Sequence, residues 1–393
     1  MGFSFSFPIL PLFLEEDIGI TDPLRLKTWV GLIHSSAAVT LAIFAPIWGH
    51  LSDVFSRKLM LLRATFCGAI VIGLMSLTTS PWQLLVLRAL QGCLTGTVAA
   101  STVLVASITP ASHVAFTLGL LQTGIAVGGS IGPLIGGVVS DFFGYRAAFI
   151  GTAVLMTLAG LIVLKWVQDD DFKPSPERKA KKLSLLPDFK IISGSSVLVK
   201  MMIVTLGVQA AISVTAPMIP LYLRSLAERA GEEIVMIGSA TGVVMGVGAA
   251  SAALAAVLVG KFANRIGFRR SLLFCLAAGA AFTIPQVFAT NTFQLALFRA
   301  FALFFIGGTM PVINAMLAVS SDNHQRGTVF GINTSVASAG AALGPMLGSF
   351  AAILALWTVF WVAALILAAS FIVFYLPAKE RGGAGGGAEA AGS

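Results

Sequence analysis

Long apolar runs separated by short polar breaks occupy nearly the whole chain. A bilayer core of roughly 30 Å needs about 20 apolar residues in each crossing helix. Runs of that kind lie at about 28 to 51, 59 to 78, 83 to 107, 116 to 140, 146 to 166, 197 to 223, 236 to 260, 271 to 289, 293 to 318, 328 to 352 and 354 to 376. They predict eleven membrane-spanning helices. Before them, "FSFSFPILPLFL" from Phe3 to Leu14 is apolar but too short to cross, and reads as the second half of a twelfth span. Alternating ten-residue strands are not found, so a membrane β-barrel is excluded and the expected class is an all-α membrane protein.

One long polar interruption, 167–196, divides these runs into two sets of six. The expected organisation is a six-helix bundle over 1–166 with its first helix incomplete, a linker over 167–196, a second six-helix bundle over 197–376, and a low-complexity, disordered tail over 377–393.

Composition sharpens this picture. The chain is 57% hydrophobic and 11% charged with a mean hydropathy of +0.92, whereas a globular domain carries about a quarter charged residues. A soluble protein is ruled out. The net charge of +8 does not point to nucleic acid, because the basic residues sit in short loops beside the spans. Counted by side, eighteen Lys and Arg fall on the side holding Gly49 to Lys58 and five on the other. By the positive-inside rule the linker and C-terminus are cytoplasmic, in a multi-pass protein of the plasma membrane.

A charged motif recurs. "GHLSDVFSRK", Gly49 to Lys58, follows the second span as "GKFANRIGFRR", Gly260 to Arg270, follows the eighth, at an offset of 211. The same offset carries Arg88 onto Arg299, and an offset of 212 carries Gly132-Pro133 onto Gly344-Pro345. Landmarks in one order at one spacing mean a duplicated six-helix unit with pseudo-twofold symmetry. "FPILPLFL" also matches "APMIPLYL", Ala216 to Leu223, which places the expected start of the first span some ten residues before Met1.

The glycine-led loop, the Arg-x-x-Gln-Gly of the fourth span and the glycine-proline fifth span together resemble the major facilitator superfamily, in its twelve-helix drug/proton antiporter branch. The resemblance implies two bundles rocking about a central cavity by alternating access, exporting lipophilic drug-like molecules in exchange for protons. A narrow-specificity metabolite or sugar transporter of the same fold, or a transport-inactive membrane sensor or scaffold, is the alternative. The expected partners are a small lipophilic substrate, protons and the bilayer, with the chain a monomer.

Chemistry-bearing residues are few. Gly49 permits close helix approach, Asp53 suits capping a facing helix N-terminus, and Arg57 and Lys58 supply cationic partners. The resemblance makes this cluster a latch between the halves that favours the outward-facing state, with Gly260, Arg265 and Arg269 as its second copy. Val54 and Ser56 depart from the family pattern, and Asn264 replaces the acid in the second copy. Along the fifth span, Gly124, Gly128, Gly132 and Gly136 line one face, with Pro133 and Gly137 beside them. That face packs backbone closely, Pro133 bends it, and the family associates the run with exporters.

Arg88 lies six residues into the fourth span. It either snorkels to the interface or serves function, and the resemblance implicates it in proton coupling. No Asp or Glu falls mid-membrane, which leaves Asp141, Glu15, Glu16 and His34 as further candidates. Gln91, Gln122, Gln209, Asn314 and Asn333 are amides within apolar helices, suited either to a lipophilic substrate in a central cavity or to joining helices. Cys67, Cys93 and Cys275 lie in apolar runs without metal-ligand spacing, and no cofactor or metal is expected. With no phosphate-binding loop and no nucleophile-base arrangement, the chain does not read as an enzyme.

Overall fold

The computed structural model describes residues 5–54, 56–110, 113–167, 195–231, 236–321 and 326–376. Most of the expected linker and all of the expected tail lie outside them. The described residues are almost wholly helical and include no strand. The first half contains α1 (Leu10–Glu16), α2 (Pro23–Val54), α3 (Arg57–Met75), α4 (Pro81–Leu94), α5 (Thr97–Ile108), α6 (Val114–Phe143) and α7 (Tyr145–Trp166). The second contains α8 (Ser196–Thr215), α9 (Ile219–Ala230), α10 (Ile237–Ile266), α11 (Phe268–Thr283), α12 (Thr292–Ser320), α13 (Arg326–Leu354) and α14 (Thr358–Tyr375). Eleven segments among the described residues are long and apolar enough to cross a membrane.

Local chemistry sets the ends of these helices. Ser80 and Gln83 form a reciprocal capping box at the start of α4, satisfying backbone donors that the first turn leaves free. Asn291 caps α12, its Oδ1 accepting from Gln294 N at 2.9 Å. Gly144 (φ +84°) and Gly267 (φ +94°) make the turns after α6 and α10 in a backbone region that only glycine enters freely.

Two expected continuous spans are interrupted. The fourth breaks at Thr95–Gly96, where Gly96 has φ +123°. At the break the Thr95 N–H and hydroxyl both donate to Gln91 O, at 2.9 and 2.7 Å, and Trp48 Nε1 of α2 donates to Cys93 O at 2.6 Å. The seventh tightens to a 3₁₀ turn over Ala216–Met218, because Pro217 has no N–H to continue the α-helical ladder.

The duplication extends to individual hydrogen bonds. Thr40 Oγ1 donates to Ala89 O at 2.9 Å, and Ser251 Oγ, 211 residues later, donates to Ala300 O at 2.7 Å. Lys58 Nζ donates to Leu164 O at 3.1 Å, and Arg269 Nη2 to Tyr375 O at 3.3 Å, again 211 residues apart. Helix pairings repeat as well: α2 with α4 as α10 with α12, and α3 with α7 as α11 with α14. The halves meet along two symmetry-related seams, α6 against α10 and α2 against α13. In lipid there is little hydrophobic drive between helices, so close backbone approach at small residues holds such seams together.

Candidate functional site

The helical ends are chemically unlike. One, the basic end, carries Lys58, Lys165, Lys200 and Arg269; the other, the acidic end, carries Glu15, Glu16, Asp17 and Asp141. At the acidic end the halves are sealed. Asp141, in the last turn of α6, accepts from Gly238 N at 2.9 Å and Ser239 N at 2.7 Å, both in the first turn of α10. A carboxylate there satisfies helix donors that have no intrahelical partner and faces the positive end of the helix dipole. Beside it, Arg224 of α9 pairs with Glu15 Oε2 at 2.6 Å and Glu16 Oε1 at 2.8 Å of α1. On the second seam, Ser349 Oγ of α13 donates to Lys27 O of α2.

Glycine makes this closure possible. A Cβ at Gly137 would strike the Gly238 carbonyl, and one at Gly136 would strike Phe5 O. From the facing helix, Gly242 lies against Pro133 O and Gly246 against Ser130 O. Gly128, Gly132 and Pro133 are buried in the same stretch. Toward the basic end the packing is lost. Gln122, Thr123 and Gly124 are all exposed, and a Cβ at Gly119, Gly124, Gly260 or Gly331 would meet nothing within 4 Å.

The expected latch residues sit at this open end. Gly49 and Asp53 fall in the last turns of α2, and their side-chain surroundings lie outside the described residues. Arg57 opens α3. Lys58 and Arg269 bond to the carbonyl ends of α7 and α14 within their own halves, where a cation also complements the helix dipole. Arg265 is exposed in the last turn of α10. In this conformation Lys58 and Arg269 therefore each reinforce their own bundle.

Arg88 is buried, 5% exposed, and its Nη1 donates to Gln91 Oε1 at 3.2 Å. His34 is buried beside it, its Nδ1 2.9 Å from Val30 O and its ring edge-on to Phe7. Since Val30 O can only accept, Nδ1 carries a proton. Asn333 joins three helices, accepting from Thr205 Oγ1 of α8 at 2.8 Å and donating to Asn314 Oδ1 of α12 at 3.5 Å. Gln209 is half-buried where α8 meets Gly340 of α13. Gln122 stands apart from these amides on the exposed stretch of α6.

Sequence reasoning missed Arg224, Thr205 and the Gly238–Ser239 amides. The last have no side-chain signal at all, since they act through backbone N–H groups. Asp17, outside the spans, has its carboxyl pushed above the usual 3.8, first by burial and further by Glu16, with Arg146 opposing. Among the described residues no group of His, Cys, Asp and Glu has the arrangement to hold a metal ion.

A duplicated six-helix architecture with two small-residue seams defines a membrane transporter. The sequence profile of the Major Facilitator Superfamily matches residues 1–250 and 231–391, and the chain belongs to that superfamily. It is therefore a transporter and not an enzyme. The chain is 34% identical over 352 residues to the multidrug resistance protein MdtG of Proteus mirabilis, covering 89% of this chain and 85% of that protein. It is 32% identical over 348 residues to MdtG of Enterobacter lignolyticus, covering 88% and 81%. Its fold is similar to that of the nucleoside transporter NupG, with a TM-score of 0.76, 14% identity and 96% of each chain covered. It is also similar to the human organic anion transporter MFSD10 (TETRAN), with a TM-score of 0.64, 19% identity and 95% of each chain covered.

Proposed function

We propose that this protein exports lipophilic drug-like molecules in exchange for protons by alternating access, and that the conformation described here is inward-facing. The acidic end is then the outer face, and the basic end, the linker and the C-terminus are cytoplasmic. This agrees with the excess of Lys and Arg at the basic end and with the one-third identity to multidrug resistance proteins. The protein works as a monomer in the plasma membrane, its bundles over 1–166 and 197–376 joined by the linker.

The observation that carries the mechanism is the one-ended seam. Asp141 holds the outer end shut through two hydrogen bonds that its negative charge strengthens. A proton arriving from outside neutralises the carboxylate, weakens both bonds and frees the outer ends to part. Glu15 and Glu16 act on Arg224 in the same sense. Gln91, Gln209, Asn314 and Asn333 offer sparse hydrogen bonding within apolar walls, the chemistry that suits a lipophilic substrate. Arg88 and His34 stand as a second polar pair within the first bundle. Asp53 of the loop cluster is the matching group for closure at the cytoplasmic end.

The test is efflux of a lipophilic fluorescent dye from energised cells expressing the chain, with and without a protonophore, beside Asp141→Asn. The expected result is efflux that the protonophore abolishes and that Asp141→Asn strongly reduces. Efflux indifferent to the protonophore removes proton exchange, and failure to move any member of a chemically diverse panel removes drug export.

A further inference from the structure

We propose that the second half holds one buried water molecule between Arg299 and Gln286, at the place where α8 and α11 both lose regular helical form. α8 ends at Thr215 and passes into the 3₁₀ turn Ala216–Met218, while α11 gives way to a 3₁₀ segment over Ile284–Phe288. Between them lies a cavity of about 10 Å³, its polar wall formed by Thr215, Thr283, Gln286 and Arg299. Arg299 and Gln286 are 3% and 2% exposed, so bulk solvent does not reach them.

The polar atoms around this space do not satisfy one another. Arg299 Nη1 donates to Thr215 Oγ1 at 3.3 Å, but Arg299 Nε and Gln286 Oε1 are buried with no hydrogen-bond partner among the described residues. The hydroxyls of Thr215 and Thr283 give their protons to Ile212 O and Gly279 O, at 3.2 and 2.7 Å, so neither is left to serve the Gln286 oxygen. One orphan donor and one orphan acceptor thus line the same space. Water is the ligand that accepts from the first and donates to the second. A site for one water needs about 10–15 Å³ and two to four polar partners, and this cavity supplies both. A halide is larger and would face the Gln286 oxygen.

The position gives this water a consequence. Arg299 of α12 is tied directly to Thr215 at the knee of α8, and through the water to the segment following α11. Tyr222 of α9 donates to the carbonyls of Gln286 and Val287 at 3.0 and 3.1 Å. α9 also carries Arg224, the cation that grips Glu15 and Glu16. The hydrated tie therefore fixes the direction in which α9 leaves the knee.

Two variants and one direct observation test the proposal. Ala302→Val places methyl groups in the cavity while keeping every polar group. If a water is displaced, both orphans are left unpaired and the melting temperature falls by about 3 °C or more. An unchanged or raised melting temperature overturns the proposal, and a fall supports it only when Gln286→Met falls too, because two methyl groups exceed so small a void and overpacking alone lowers stability. Gln286→Met, close in volume, follows the same sign: a fall where a water loses its acceptor, a rise where only an unsatisfied oxygen is removed. An experimental structure at a resolution that reveals other buried waters should place a density peak within hydrogen-bond distance of Arg299 Nε and the Gln286 amide. An empty or collapsed site there, or a peak that exchanges with heavier halides, refutes it.

Discussion

Replacing Asp141 by Asn changes one atom on the outer seam and leaves side-chain volume intact. The carboxylate accepts from Gly238 N and Ser239 N with one oxygen each. Asparagine keeps one acceptor and turns an NH₂ toward the other backbone N–H, so one bond is lost and the other becomes neutral. Hydrogen bonds to charged groups contribute about 1.5–3 kcal/mol each against about 1 for neutral pairs, and a carboxylate at a helix N-terminus adds a few tenths to 1. Asp141 is half-buried, which favours the lower end, and the seal should weaken by about 2–3 kcal/mol. At 1.4 kcal/mol per decade, this moves the balance between inward- and outward-facing forms about 30- to 140-fold.

Thr79 and Thr290 serve to read that shift. They are exposed, lie in equivalent acidic-end loops 211 residues apart, and belong to different halves. Spin labels on cysteines placed there, with Cys67, Cys93 and Cys275 replaced, report the outer separation directly. The expected outcome is a new, longer distance in Asp141→Asn that grows at the expense of the original one. Identical distance distributions in the two proteins would refute the account of the seam, even if transport were lost.

Other perturbations separate the parts of this scheme. Gly137→Val should hold the outer ends apart and abolish transport, because its Cβ meets the Gly238 carbonyl, whereas Gly124→Ala meets open space and should be tolerated in expression and efflux assays. Arg224→Ala removes both ion pairs, but these groups are about 30% exposed, so the outer distance should shift only a fewfold, about 1 kcal/mol or less. Asp17 binds its proton more tightly in the folded protein than its ordinary value of 3.8. Its contribution to stability is therefore full below 3.8 and lost as pH rises through the raised value. Asp17→Asn should keep or raise the melting temperature at neutral pH and lose the extra stability that wild type gains as pH falls through the raised value, so the acid-side decline steepens, measured by thermal melts across that range. Asp53→Asn should shift the Thr79–Thr290 distance opposite to Asp141→Asn, toward the sealed outer end.

Much of the fold was legible because a bilayer imposes length. Each crossing segment needs a long apolar run, and a duplicated gene keeps its landmarks in step, which is why one offset of 211 relates both Arg88 to Arg299 and the bond from Lys58 to that from Arg269. Interruptions were not legible. Gly96 is one glycine among many in an apolar run, and its positive φ becomes visible only when the chain is folded. The site was legible where side chains act and opaque where backbone acts. Asp141 was marked by being an acid at a span end, but its partners at Gly238 and Ser239 contribute peptide N–H groups that any sequence possesses. Arg224 registers in the sequence only as a charge; its pairing with Glu15 and Glu16 spans some 200 residues and depends on how two bundles meet.

The placement of two carboxylates bears on how the two bundles would alternate between closures under the proposed mechanism. The seams are related by the pseudo-twofold, so each end of the molecule has two junctions where one seam helix finishes beside the start of another. At the acidic end these are α6 with α10 and α13 with α2; at the basic end, α2 with α13 and α10 with α6. Perfect duplication would place a carboxylate at both junctions of an end or at neither. This chain has Asp141 finishing α6, where its counterpart near the end of α13 is Ile353, and Asp53 finishing α2, where its counterpart on α10 is Asn264. Each end thus has one acid in sequence at a helix end, and at the acidic end Asp141 meets the N-terminus of α10. Rigid bundles that pivot against each other bring such junctions together at one end only by parting them at the other. Under the proposed exchange, each cap made at one end is a cap forgone at the other, and protonating Asp141 or Asp53 should tilt the balance in opposite directions.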